Sequence, residues 1–414
     1  MKKRVMVYDP VPFFGGSKQV AKQLVKQLLP SAHVVVVTND RDTWQDSDAE
    51  LLYLSTPESL KGQTQGLNFY FKHLWFALQL LWISVFYGRF KRVLGISGPT
   101  VDFALYIYRL ILPFSVFDLV QLVQGPVPMS RIAGYGIKQA DAVFCLETMV
   151  DSTKRALAFY QQIPFEELNG PDSSISQDKI QTFTNGIELD AVSKCPMYGA
   201  KCSVENYFME NSAANKNIRH EKKRKENKLS RSRTNFKDSA KVSLFWCASL
   251  LNWKRLDLFL AAVSRASRLV GKPVSANICY ILPKDSQHVY WLPGPMPRNI
   301  KFYQQPENLD EIRASSSIFI SSSENEPFGL SVLESMAAGL TVVIPHDDAY
   351  WDKELEEGKD CFKYTAGDEN SLAHALAKLV KDAELRTYIA KAGQEHAKHY
   401  SAKTCYQQIC KALT

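Results

Sequence analysis

The chain has no Cys-x-x-Cys pair; its eight cysteines stand apart at 145, 195, 202, 247, 279, 361, 405 and 410. Thiols scattered in this way argue against a disulfide framework and against a zinc site, and suit a reduced, cytosolic setting. No signal peptide is expected, because Lys2, Lys3 and Arg4 lead into only a short apolar run before Asp9. Metal-ligand groupings are sparse too. His396 and His399 share a helical face but lack a third ligand, and His346-Asp347-Asp348 reads as polar residues gathered at a strand end. A long, unbroken apolar run is also missing. The most apolar segment, residues 67–87, is interrupted by Lys72, His73, Gln79 and Ser84, short of the roughly 20 apolar residues a bilayer span needs. It is expected to be a buried core helix. A helix lying in a headgroup layer is the second reading, because Trp75 and Trp82 stand near Lys72, Arg89, Lys91 and Arg92.

What is present fits a globular enzyme. At 414 residues and 45% hydrophobic content the chain has room for two domains and their cores. Fifty Lys/Arg face forty-three Asp/Glu overall, while residues 201–241 alone hold twelve against five. The excess positive charge therefore lives in one polar stretch, centred on Lys222-Lys223-Arg224-Lys225. Few apolar residues punctuate it, so it reads as a flexible insertion between domains. Attraction to anionic lipid is a second account. Nucleic-acid binding is not favoured, since neither an aromatic stacking platform nor a helix-turn-helix pattern accompanies the charge.

Apolar, β-rich runs recur at 4–8, 33–38, 92–96, 116–123 and 140–146, and again at 242–247, 276–282, 300–303, 318–321 and 341–344. Helical patterns separate them, which predicts an α/β protein with parallel sheets and right-handed crossovers. The first strand runs into a loop ending in Gly15-Gly16, then a helix with Val20, Leu24 and Leu28 on one face. Strand, glycine loop and helix form the phosphate-facing start of many α/β domains, although a Gly-Gly pair by itself is equally a turn.

Residues 322–345, SSENEPFGLSVLESMAAGLTVVIP, organise the rest. Pro327 suits the first turn of a helix, Leu330, Val332, Leu333 and Met336 supply its apolar positions, and Gly339 ends it as a C′ residue. A buried strand follows at 341–344. The helix start beside a glycine is a ready anion site for the phosphates of a nucleotide. On spacing alone, Glu324 and Glu326 could equally serve only to complement the helix dipole.

The Glu326-Pro-Phe-Gly-Leu run, then Glu334, Met336-Ala-Ala-Gly339 and a strand, resembles the E-x7-E signature of retaining glycosyltransferases of family 4. The resemblance is strong over 242–400, loose over the first 190 residues and absent from 196–239. It implies a GT-B fold, two Rossmann-like α/β domains facing across a cleft. It implies that Glu334 holds the donor ribose and Glu326 sits near the transferred sugar. The amides of Phe328, Gly329 and Leu330 would meet sugar and diphosphate, and the Gly15-Gly16 loop would lean over diphosphate and acceptor.

Three positions depart from the family pattern. Gln124 stands where a catalytic-site histidine is common, and any role of its own would be hydrogen bonding. In the segment 248–255, Lys254 matches the cation that grips the diphosphate, but Ser249 stands where arginine is usual. Arg255 stands where glycine is common; it would replace the missing charge, or only cover a helix start. Residues 181–188, QTFTNGIE, resemble the element closing the first domain in this family, or form an ordinary Asn-Gly turn.

The expected organisation is a first domain over 1–195, the basic insertion over 196–240, a nucleotide-sugar-binding domain over 241–399, and a final helix over 400–414 that crosses back. The reaction implied is hexosyl transfer from a nucleotide-diphosphate sugar to a hydroxyl of a glycan or lipid-linked acceptor. It would proceed with retention, without a metal or cofactor beyond the donor co-substrate, in the cytoplasm or at the cytoplasmic membrane face. Two rivals are a sugar-nucleotide epimerase on the same fold and a non-catalytic scaffold using the basic insertion.

Overall fold

A computed structural model describes residues 2–62, 65–112, 117–168, 179–189, 242–282 and 297–414. The basic insertion expected over 196–240 lies outside them. Strands β1 (Lys3–Asp9), β2 (Ala32–Thr38), β3 (Glu50–Tyr53), β4 (Arg92–Gly95), β5 (Asp118–Val123), β6 (Ala142–Leu146) and β7 (Ile180–Phe183) form one sheet in the order β3-β2-β1-β4-β5-β6-β7. A second sheet takes β8 (Ser243–Ser249), β9 (Ser275–Ile281), β10 (Ile300–Gln304), β11 (Ile318–Ile320), β12 (Thr341–His346) and β13 (Phe362–Thr365) in the order β10-β9-β8-β11-β12-β13. Every pairing is parallel. Each sheet winds outward in both directions from its first strand. That places a topological switch point between β1 and β4 and another between β8 and β11, where the crevice of such sheets binds ligands.

The central strands are legible because they are buried on both faces: Val34 to Val37 and Val342 to Ile344 are all inaccessible or nearly so. The edge strands β3 and β13 were not predicted. Of their eight residues only Tyr364 is buried, and neither strand shows a continuous, fully buried apolar run. Strand β7 was absorbed into the Asn-Gly element that follows it.

The helix at Gly66–Phe86 corrects the expectation of a buried core helix. Only one stripe, His73, Phe76, Ala77, Leu80, Ile83 and Ser84, is buried. The opposite stripe is open to solvent although it is just as apolar. By length and composition the helix would be able to cross a membrane. It is packed onto the first domain: half-exposed Trp75 donates from Nε1 to Ser55 O at 2.8 Å at its flank, and the hydroxyls of Ser84, on the buried stripe, and Tyr108 pair beneath it.

Two short helices, Ala402–Cys405 and Gln407–Leu413, stand where one was expected. They pack on the first sheet: Arg92 Nη1 donates to Ala412 O at 3.1 Å, and Ile187 bridges Ser401. Gly186 is not an ordinary turn glycine. Its N–H donates to the Tyr406 hydroxyl at 3.0 Å, and that hydroxyl donates back to Gly186 O at 3.0 Å. A Cβ here would lie 2.8 Å from Ala402 Cα and 2.9 Å from Ala402 N, so glycine is required by the close approach of the returning chain.

Candidate active site

The loop after β11 is stitched to the loop after β8. Trp246 Nε1 donates to Ser322 Oγ at 2.9 Å, Ser322 Oγ donates to Lys254 O at 2.8 Å, and Glu324 N donates to Trp253 O at 2.9 Å. The two loops flanking the second switch point are thus hydrogen-bonded to each other. Gly329, with φ of 77°, caps the helix Leu330–Ala337. A Cβ there would meet Glu326 Cγ at 3.1 Å and Trp351 Cδ1 at 3.3 Å, so conformation and crowding both demand glycine. Pro327, expected in the first helical turn, lies outside the helix, two residues before its cap. Gly339, with φ of 79°, follows the last turn in the left-handed conformation expected of it.

Phe328 turns inward. Its ring lies 4.7 Å from Tyr350 and 5.2 Å from Trp351, and Trp351 Nε1 donates to Gly329 O at 3.1 Å. The aromatic cluster anchors the loop that leads into the helix. Leu330 lies at the first domain: a Cβ on Gly16 would stand 3.9 Å from Leu330 Cδ1, and Thr148 Oγ1 donates to Pro327 O at 2.7 Å. Gly15 leaves open space beside it, and Gly16 has room for no more than ordinary contact with Leu330.

Each of the two motif carboxylates has a cation. Glu326 pairs with Lys254, whose Nζ also stands 3.8 Å from the Trp253 ring centre. Glu334 pairs at 2.5 Å with Arg313, a residue that the motif spacing gave no reason to single out. The Arg313 side chain is 3% exposed and also pairs with Asp310. Burial pushes the Glu334 carboxyl above the usual carboxylate range, against the pull of Arg313. Glu326 also borders a small open depression lined by Val332, Pro345, Asp347 and Trp351.

Arg255, at φ of 49°, binds Asp257 through Nε and Nη2 at 3.1 Å and also pairs with Glu324. Its guanidinium is therefore already held by two carboxylates at the start of the helix Leu256–Val270. Ser249 ends β8.

On the first domain, Gln124 Nε2 donates to Ile96 O at 3.1 Å and to Ser17 O at 3.4 Å, tying together the loops after β5 and β4 and the start of the first helix. Behind that face, Lys18 is buried between Asp40 at 2.5 Å and Asp9 at 3.2 Å. Asp102 Oδ2 accepts from Ser97 N, Gly98 N and Gln121 Nε2 at 2.8, 3.1 and 2.7 Å. Burial raises the Asp102 carboxyl to about 8. None of these buried polar residues was foreseen, because each is read from sequence as part of an apolar strand or helix edge.

Among the described residues no group of three or more His, Cys, Asp or Glu could hold a metal. His346 and Lys363 both pair with Asp352, at 2.9 and 2.8 Å, and His396 pairs with Asp360 at 3.3 Å. These contacts brace the loop after β12 and the end of the helix Ala383–Ala397.

Residues 295–396 match the family model described as glycosyl transferases group 1. Sulfoquinovosyl transferase SQD2 of Arabidopsis thaliana is 35% identical over 107 residues, 25% of this chain and 21% of that protein. A phosphatidyl-myo-inositol mannosyltransferase of Mycobacterium leprae is 31% identical over 119 residues, 28% of this chain and 32% of that protein. The matches thus span a third or less of those curated relatives. Among solved structures, Anabaena HepE in complex with UDP and glucose is 14% identical, with a TM-score of 0.67 and 99% of each chain covered. That likeness establishes the GT-B fold.

Proposed function

We propose that this chain, a GT-B fold whose residues 295–396 are of the group 1 glycosyl transferase type, moves a sugar from a nucleotide-diphosphate donor to a hydroxyl acceptor. One observation carries the reading. Two carboxylates flank the N-terminal end of one helix at a topological switch point, each held by a cation from a different segment, Lys254 and Arg313. Such an end offers N–H groups to a diphosphate, and Lys254 offers a charge to the departing phosphate. Glu334, oriented by Arg313, is assigned to the donor ribose, and Glu326 to the transferred sugar. The structure of HepE with UDP makes a uridine diphosphate sugar the first donor to test. Relatives acting in glycolipid and lipopolysaccharide assembly favour a glycan or lipid-linked acceptor.

The reaction assigned here is retaining. The bond between the anomeric carbon and the phosphate oxygen breaks as the acceptor oxygen bonds to that carbon from the same face, and the acceptor proton passes to the departing phosphate oxygen. In this scheme Glu326 and Glu334 position and stabilise charge, and no covalent sugar adduct with a carboxylate is needed. A thermal-shift panel of UDP, GDP and ADP is the first experiment, because a ligand at 100 times its Kd adds about 2.7 kcal/mol. Transfer is then followed with the stabilising nucleotide sugar, and the product anomer is read by NMR. If no nucleoside diphosphate stabilises the protein, or if the sugar is epimerised without an acceptor, the reading fails.

A further inference from the structure

The outer stripe of the helix Gly66–Phe86 is a surface that the donor chemistry does not use. Leu67, Phe71, Leu74, Leu78, Trp82 and Phe86 follow one another at helical spacing and are all exposed, Trp82 by 60% and Phe86 by 65%. The Trp82 and Phe86 rings pack on each other at 4.4 Å in solvent. On the adjoining helix Phe103–Ile111, Leu110 is also exposed, so the apolar surface spreads over two neighbouring elements. An apolar face this large calls for an occupant.

Charge identifies it. From residue 59 to residue 101 the chain has no Asp or Glu. Arg89 and Lys91, just past the helix C-terminus, are exposed. An apolar, tryptophan-bearing stripe that carries no carboxylate of its own and ends beside exposed cations is complementary to an anionic bilayer surface, in which such a helix lies parallel to the plane. A partner protein groove would not require the forty-three-residue absence of carboxylates.

We infer that this stripe docks the enzyme onto an anionic lipid bilayer, with Trp82 and Phe86 in the acyl boundary and Arg89 and Lys91 at the headgroups. The orientation matters for the proposed chemistry. Trp75 and Gln79 of the helix bond Ser55, two residues past the end of β3. Ser55 is on the sheet edge where β1 ends at Asp9 and leads to the Gly15-Gly16 loop. The helix thus lies beside the end of the sheet that carries the Gly15-Gly16 loop, which suits an acceptor sugar displayed on a lipid. That last step rests on the proposed function; the docking itself does not.

The test is co-sedimentation of the full chain with vesicles of phosphatidylcholine alone or mixed with phosphatidylglycerol. Binding to the anionic vesicles is expected to exceed binding to the neutral ones at least tenfold and to weaken with added salt. Arg89→Ser with Lys91→Ser is expected to lower anionic binding by roughly fivefold per cation. Trp82→Ser with Phe86→Ser is expected to lower it by about tenfold or more. Both pairs are exposed, and an unchanged Tm with an unchanged UDP shift verifies that the variants fold. The inference is overturned if the Trp82 and Phe86 variant binds vesicles as well as the parent while removal of 201–241 abolishes binding. It is equally overturned if the parent ignores vesicles and forms a dimer that the same variant disrupts. Vesicle binding without any nucleotide shift would sink the donor-site reading and leave the docking standing.

Discussion

Arg313 donates from Nη2 to Glu334 Oε2 at 2.5 Å, across twenty-one residues of sequence, and only 3% of its side chain meets solvent. The pair joins the helix Leu309–Ala314 to the helix Leu330–Ala337, and it sets the direction in which the second motif carboxylate points.

Arg313→Ala should therefore destabilise the protein by about 3–5 kcal/mol, because it strands a buried carboxylate. Urea unfolding reads this directly. Glu334→Gln keeps the shape and a hydrogen-bond acceptor, but loses a charged hydrogen bond worth about 1.5–3 kcal/mol, so it should weaken UDP binding roughly ten- to a hundredfold. Wild-type UDP affinity in Glu334→Gln would remove this residue from the donor site.

Lys254 gives a different signature. If its ammonium meets the diphosphate, Lys254→Ala should weaken UDP by about 1.5–3 kcal/mol and leave uridine nearly unaffected. Glu326→Gln should lower kcat with a smaller loss of binding. Parallel losses for UDP and uridine in Lys254→Ala would mean that the residue supports the loop through Glu326 and no more.

Arg255 is expected to behave as part of the surface. Its partners Asp257 and Glu324 are themselves about half exposed, and exposed pairs contribute about 0–1 kcal/mol. Arg255→Ala should change UDP and uridine affinities by the same small factor, measured by titration calorimetry. A loss confined to UDP would show that the guanidinium leaves its carboxylates for the diphosphate.

The switch-point strands and the motif helix were legible in the sequence because burial on both faces writes a continuous apolar run, and because Gly329 and Gly339 are dictated locally by left-handed backbone. Arg313 was not legible. An arginine on a short amphipathic helix reads as solvated, and its partner lies two elements away. The helix Gly66–Phe86 failed for the opposite reason: hydropathy counts apolar residues but does not say whether both faces have something to pack against. Gly186 fell between the two cases, with a local pattern that suggested a turn and a role set by a chain segment more than two hundred residues later.

That role makes Gly186→Ala a sharp probe. Its Cβ would sit within 3.0 Å of Ala402 backbone and of Cys405 Cβ, and backbone cannot yield as a flexible side chain can. A loss of about 1–3 kcal/mol is expected from overpacking. Limited proteolysis should then cut the released segment near Ser401 faster than in the parent. Unchanged cleavage and stability would show that the two short C-terminal helices are held elsewhere.

The buried carboxyl of Asp102 links stability to pH. Burial raises it to about 8 from an ordinary value of 3.8, the hydrogen bonds from Gln121, Ser97 and Gly98 pulling the other way and nearby Asp9 adding to the rise. Between those two values the folded protein keeps a proton that the unfolded chain has lost. Stability from this group is full below about pH 4, falls as pH rises toward 8, and levels off above it, with a slope of at most about 1.4 kcal/mol per pH unit. Asp102→Asn stays neutral throughout, and its side-chain oxygen can still accept from the two backbone amides and from Gln121. Its amide would take the place of Oδ1, which has no hydrogen-bond partner. Urea unfolding at pH 5, 6.5 and 8 should show the parent losing stability along the series and Asp102→Asn losing less. If the two slopes coincide, Asp102 is ionised in the folded protein and another buried group sets the profile.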